Sequence, residues 1–227
     1  MRIKTPINKE KIRNHITYHG WAYVLVAVVA ALGWNLVYTV TAPRVPEEKR
    51  IDLYVLSGTT SNEIVDAFLK PLWEEYAPEM ESVSSVVIGM VDDYATPMQL
   101  SAYVAAGEGD IYFLTETYFK SLASQGARLP LEELVDSGAI DVTGIDLAKG
   151  YVTYISQYDE NDNPVATAQG LYGIPLESLY GYMNGMQIDN RALYAVIMVN
   201  NRNEANVVPF FDVLLQAGRG EKPDWIE

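Results

Sequence analysis

Cysteine is absent from the 227 residues, and histidine occurs only at His15 and His19. No disulfide can staple this chain, so its folded part must rest on core packing alone. Both histidines precede the long apolar run described below. The remainder of the chain therefore has neither residue, which excludes histidine-based triads, cysteine nucleophiles and His/Cys zinc sites there. Basic residues are also scarce: 16 Lys and Arg face 30 Asp and Glu, a net charge of −14. Such a surface repels nucleic acid and anionic lipid, so neither is expected as a ligand. There is no internal repeat.

What is present begins with a stretch free of charge. No ionisable acid or base stands between Gly20 and Pro43, and Trp21 to Val40 supplies twenty mainly apolar positions. About 20 helical residues cross the hydrocarbon core of a bilayer. Trp21, Tyr23, Trp34 and Tyr38 lie toward the two ends, where amphipathic rings favour the headgroup level. Residues 1–19 hold Arg2, Lys4, Lys9, Lys11 and Arg13 against Glu10, a net of +4, so the other 11 basic and 29 acidic residues leave −18. The positive flank predicts a cytoplasmic N-terminus and an extracytoplasmic bulk. A cleaved signal peptide is the competing reading, but its apolar core is ordinarily about 7–15 residues. Pro43 also makes Thr41-Ala42-Pro43 a poor cleavage site, and no cysteine is there to carry a lipid. Within the helix, Ala27, Ala31 and Asn35 share one face, and the Asn35 amide makes it a candidate contact for a second membrane helix.

The predicted boundaries are a basic cytoplasmic tail 1–19, a transmembrane helix 20–42, a linker 43–50, an α/β domain 51–218 and a tail 219–227. About 180 outer residues suffice for one domain. A strand at Ile51–Leu56 leads to a helix capped by Thr60, with Glu63 completing a capping box. A second strand, Val83–Met90, precedes a helix capped at Thr96, with Pro97 at its first position. A third strand, Ile111–Leu114, precedes a helix capped by Thr115 and stopped at Gly126. Three strand–helix alternations predict a mostly parallel sheet covered on both faces. Further on, a short helical turn follows Leu131, and a less regular stretch to Gln157 carries one helix. Asp159–Pro164 is a turn, Leu171–Pro175 is extended, Tyr194–Val199 is a strand, and a helix closes at Gly218.

Three segments carry a family likeness. They are Gly109-Asp110-Ile111-Tyr112-Phe113-Leu114-Thr115-Glu116 with its continuation to Leu129-Pro130-Leu131, then Gly170-Leu171-Tyr172-Gly173-Ile174-Pro175, then Tyr194 to Leu215. In order and spacing they resemble the extracellular solute-binding proteins of bacterial ABC importers, which have the two-lobed type II periplasmic-binding fold. In that family a whole lobe separates the second segment from the third. Here only Glu177 to Leu193, 17 residues, does so. The resemblance therefore implies an α/β domain equivalent to one lobe, and a membrane-anchored accessory of an importer for carbohydrate or another polar solute. Its implied partners are an ABC permease or a full-length solute-binding protein, with no cofactor and no enzymatic role. A non-binding structural or sensory module built on the same lobe is the alternative.

Ligands of open parallel sheets lie beyond the carboxyl ends of the strands. That rule, with the resemblance, marks Ser57, Thr59, Thr60, Asp92, Asp93, Tyr94, Thr115, Glu116 and Thr117 as candidate solute contacts. An acid–base pair among these acids is less expected than helix caps and solvated turns. Tyr180, Tyr182, Met183 and Met186 lie in a Gly-, Tyr- and Met-rich stretch, a candidate partner interface. Its side chains could equally fold back as core. Asp159-Glu160-Asn161-Asp162-Asn163 has oxygen ligands at alternate positions, but Pro164 and Gly170 occupy places where a calcium loop needs Gly and Glu. A surface hairpin between two extended segments is expected there rather than a metal site.

Overall fold

The computed structural model describes residues 9–41, 45–90, 94–123, 128–158, 164–199 and 203–223. The chain divides into two compact units, Met1–Arg44 and Val45–Glu227. The first is a single helix, α1 (Lys9–Thr41). It starts earlier than the apolar run, inside the segment expected as a basic tail, because no proline interrupts residues 9–41. The 25 residues His15–Thr39 have a mean hydropathy of 1.8 and are long and apolar enough to cross a membrane. The hydroxyls of Thr17, Thr39 and Thr41 donate to the carbonyls of Arg13, Asn35 and Val37 one turn back, which hides these donors within the helix. Trp21 and Trp34 stand about three-quarters exposed, an arrangement suited to lipid rather than water.

The second unit is a mixed α/β domain. Its strands are β1 (Arg50–Leu56), β2 (Ser82–Ile88), β3 (Ile111–Thr115), β4 (Tyr151–Tyr158), β5 (Pro164–Leu171), β6 (Ile174–Pro175) and β7 (Leu193–Ile197). Five of them form one sheet in the order β2-β1-β3-β7-β6. β1 runs parallel to β2 and β3, while β7 runs antiparallel to β3 and to β6. Four of the five strands thus share one direction, a mostly parallel sheet with one reversed strand. β4 and β5 form a separate antiparallel pair. Its second strand begins seven residues before the extended segment expected at Leu171. The turn between its strands, and with it the calcium-like Asp159–Asn163 run, lies outside the described residues.

The central strands β3 and β7 read as almost unbroken apolar runs because both faces are covered. Ile51, Leu53 and Val55 with Ile111 and Phe113 face one core. It packs under α2 (Asn62–Tyr76), α6 (Gly181–Gly185) and α7 (Glu204–Gly218). Tyr54 and Leu56 with Tyr112 and Leu114 face the other core, beneath α3 (Ala95–Ala105) and α4 (Glu116–Ala123). A short helix, α5 (Glu132–Asp136), follows Leu131 as expected.

Two helix starts differ from the sequence reading. Ser61, not Thr60, precedes α2, and no side chain caps it. Tyr94, not Thr96, precedes α3. In both cases the threonine hydroxyl has a tertiary partner instead: Thr60 donates to Met186 O (2.6 Å) and Thr96 to Gly89 O (2.9 Å). A capping hydroxyl accepts from the first amides of a helix, and these two hydroxyls are turned toward other carbonyls instead, so neither helix start has a side-chain cap.

The Gly109-Asp110 pair has a structural duty. Gly109 takes φ +77°, and a Cβ there would lie 2.6 Å from the rings of both Tyr54 and Tyr112. Those rings stack at 4.7 Å. Asp110 Oδ2 accepts from Asp52 N at 2.9 Å, holding the starts of β1 and β3 together. The Tyr112 hydroxyl donates to Glu108 O and the Tyr54 hydroxyl to Glu108 Oε2. Burial pushes both phenols, and that of Tyr182, above the usual tyrosine range. An unfolded tyrosine ionises near pH ~10, so only the unfolded chain releases these protons there. Stability is therefore full below pH ~10 and is lost as pH climbs above it. Alkaline denaturation followed by circular dichroism should show unfolding accelerate above that pH; an unchanged midpoint through pH ~11 would contradict this.

Candidate functional site

The carboxyl ends of β1 and β2 meet where Ser57 N donates to Ile88 O at 3.1 Å. Around them lies an open depression of about 610 Å³, lined by Ser57, Gly58, Thr60, Ser61, Asn62, Val87, Gly89 and Met90. The expected hydroxyl contacts are here, but their protons are committed. Thr59 donates to Gln187 O (2.8 Å) and Thr60 to Met186 O, and Ser57 Oγ, which accepts from Thr59 N, lies 3.2 Å from Thr59 Oγ1 and donates to it once that threonine's proton is on Gln187 O. What these oxygens still offer a ligand is lone pairs. Tyr94, beyond the end of β2, is 76% exposed. Asp92 and Asp93 lie outside the described residues.

The end of β3 builds a second group. Thr115 is half-buried there, and Glu116 and Thr117 are exposed on the first turn of α4. Glu116 pairs with Lys120 one turn on, and that hydrogen bond holds its carboxyl below the ordinary range. Lys149, just before β4, pairs with Glu177, just after β6, at 2.6 Å. The Glu177 hydrogen bond raises the lysine. Tyr194 on β7 sits among all four charges. Its ring stacks on Phe119 at 4.5 Å, and burial first, then Glu116, raises its phenol. The register pairs Thr115 with Leu193 and Pro175 with Tyr194, which brings these groups to one sheet edge. A concavity of about 330 Å³ opens beside them, lined by Gly144, Ile145, Asp146, Lys149, Pro175, Glu177, Ser178 and Tyr180.

Sequence reading placed Thr115, Glu116 and Thr117 at this edge but missed Lys120, Lys149, Glu177 and Tyr194. The i,i+4 spacing of Glu116 and Lys120 was a usable signal. Lys149 and Glu177 are 28 positions apart, and nothing local announces their contact. The two depressions share no lining residue, so the candidate contacts fall into two subsites.

Two of the candidate interface residues need correction. Tyr182 and Met186 are both 0% exposed. The Tyr182 hydroxyl donates to Leu214 O at 2.7 Å, and its ring meets Phe113 and Phe68 edge-on. These side chains fold inward because the core beneath α7 needs their volume. Tyr180 and Met183 remain half-buried. Asn35 is exposed along α1. Among the described residues no three or more His, Cys, Asp or Glu side chains are placed to hold a metal ion.

No family model and no curated protein matches the chain. Solved structures do match over part of it. One is an extracellular solute-binding protein family 1 member from Alicyclobacillus acidocaldarius, 23% identical, with a TM-score of 0.39, over 59% of this chain and 29% of that one. Another is the ABC substrate-binding protein Lmo0181 from Listeria monocytogenes in complex with cycloalternan, 18% identical, TM-score 0.38, over 55% and 28%. A third is the N-glycan transport solute binding protein from Streptococcus pneumoniae, 22% identical, TM-score 0.36, over 56% and 24%. The matched part spans less than a third of the length of each. All three are solute- or substrate-binding proteins, the second of an ABC system.

Proposed function

We propose that this chain is a membrane-anchored, extracytoplasmic, solute-binding-like accessory of a bacterial ABC importer, taking carbohydrate or another polar solute. The observation that carries the reading is the sheet edge itself. Lone-pair oxygens at the ends of β1 and β2, and paired charges around Tyr194 at the end of β3, lie where open α/β sheets hold ligands. Donors and acceptors side by side suit hydroxyl groups, which do both. A non-enzymatic role is supported by the state of the acids there. Glu116 and Glu177 are each bonded to a lysine, and the first is held low, whereas an acid catalyst needs a raised pKa. The helix around His15–Thr39 would be the tether, with the basic N-terminal residues cytoplasmic and the domain from about residue 51 outside. An importer permease or a complete binding protein would be its partner.

The scaffold reading has one observation in its favour. Thr59 and Thr60 already donate to Gln187 and Met186, as in a module whose strand ends are closed by its own chain. Calorimetric titration of the full chain in nanodiscs separates the two. Oligosaccharides and other neutral polar solutes should include at least one with saturable binding. Glu116→Gln with Lys149→Ala should weaken it several-fold without moving Tm, since exposed ion pairs contribute only about 0–1 kcal/mol to stability. No saturable heat from any solute would favour the scaffold.

A further inference from the structure

A second concavity lies at the other end of the sheet. Leu129 N donates to Ile197 O at 3.0 Å, and Ile197 pairs with Ile111, the first residue of β3. Leu129 therefore marks the amino-terminal end of the parallel strands, opposite the edge described above. Here about 440 Å³ opens between α5, the β4–β5 hairpin and the start of α7. That volume is in the ordinary range for small-molecule sites, about 300–1,000 Å³.

Its walls are specific. Tyr154 and Tyr172 meet edge to face, with centroids 5.7 Å apart and planes at 85°. Tyr172 lies over Gly170, where a Cβ would come within 2.8 Å of the ring and 3.3 Å of Glu132 Oε1, so glycine allows that closeness. Leu129, Pro130 and Leu134 make an apolar wall. Glu132, whose Oε1 already accepts from Leu171 N, joins Glu133 and Glu204 to supply three carboxylates, and among the described residues no lysine, arginine or histidine lines the space.

The hydrogen-bonding balance is one-sided. The tyrosine hydroxyls engage each other, and the Gln169 amide donates to Thr153 Oγ1. Most remaining capacity is acceptor. A sugar hydroxyl needs both kinds of partner, whereas an ammonium group only donates. Tyrosine faces and apolar walls suit the methylenes of an alkylammonium ion and attract its charge. Among the described residues no three such side chains gather as they would around a metal ion, and separated acceptors suit an extended cation better than a compact one. Among the described residues, Arg128 is the opposing charge near Tyr172. It does not line the space: its Nη2 donates to Phe119 O and its guanidinium covers the Phe119 ring.

We propose that this concavity between α5, the β4–β5 hairpin and α7 is a second ligand site, taking a small organic ammonium ion of the alkyl diamine class. The test uses the full chain in nanodiscs of zwitterionic lipid, titrated with 1,4-diaminobutane and, as the uncharged isostere, 1,4-butanediol. The diamine should bind saturably and the diol should not. Raising the salt from about 50 to 300 mM should weaken diamine binding several-fold by screening. Glu133→Gln with Glu204→Gln, both at exposed positions, should weaken it at least five-fold with Tm unchanged. Glu116→Gln and Lys149→Ala should leave it unchanged, which keeps this site separate from the strand-end one. Equal binding of the diol, no saturable diamine binding, or a double glutamine variant that binds like the parent would each overturn the proposal.

Discussion

Tyr182→Ala should lower the stability of the domain by about 3–5 kcal/mol, the cost of removing a large aromatic from a packed core. The ring fills the space between Phe113 of β3 and Phe68 of α2 and is fully buried. Its hydroxyl meets Leu214 O, so truncation also leaves a buried carbonyl without its donor. The surroundings have little room to collapse. A Cβ on Gly218 would already stand 2.5 Å from the Tyr182 ring, so α7 is pressed against it. Tyr182→Phe isolates the hydrogen bond and should cost about 1–3 kcal/mol. Urea unfolding of the three proteins checks both values. A near-neutral Tyr182→Ala would return this residue to the surface role that its Gly- and Met-rich neighbourhood suggested.

Asn190→Ala is expected to cost about 2–4 kcal/mol for a related reason. The side chain is 0% exposed, and its Nδ2 donates to both Leu176 O and Leu179 O. One amide thus closes the loop from residue 176 to 190, the span that links β6 to β7. Without it two buried carbonyls each lose one of their donors and keep only a backbone N–H. The consequence reaches the strand ends, because Met186 O and Gln187 O within that loop receive the Thr60 and Thr59 hydroxyls. Hydrogen exchange of residues 57–60 should accelerate in Asn190→Ala beyond what the global destabilisation accounts for. If those amides keep their protection relative to the core, the loop does not hold the strand ends.

Much of this was readable from the residues. The runs at Ile51–Leu56 and Ile111–Leu114 announced buried strands because every position but Asp52 is aliphatic or aromatic. The helix cores were legible from their stripes, but their first residues were not. Thr60 and Thr96 look like caps locally, and only carbonyls distant in sequence or across a turn show why they are not. The β4–β5 hairpin was expected as a turn between two extended segments, but its second arm was placed too late, at Leu171–Pro175. Its exposed face mixes Tyr151, Thr153 and Ile155, and its partner strand is rich in alanine and threonine, so the alternation is faint. The candidate site was half visible for a comparable reason. Residues after strand ends can be marked by rule, whereas Lys149, Glu177 and Tyr194 join them only through the register of β6 and β7. Whether Tyr182 and Met186 faced a partner or the core depended on Leu214 and Phe113, far away in sequence.

The central claim is that a polar solute is held at the carboxyl edge of the sheet. Site-resolved hydrogen–deuterium exchange of the nanodisc-held chain, with and without a saturating solute from the calorimetric screen, tests it most directly. The account predicts new protection at residues 57–62 and 115–120, with Lys149 and Glu177 following, and none at the β4–β5 hairpin. Protection confined to other surfaces, or a bound solute that leaves both strand-end segments unchanged, would contradict it.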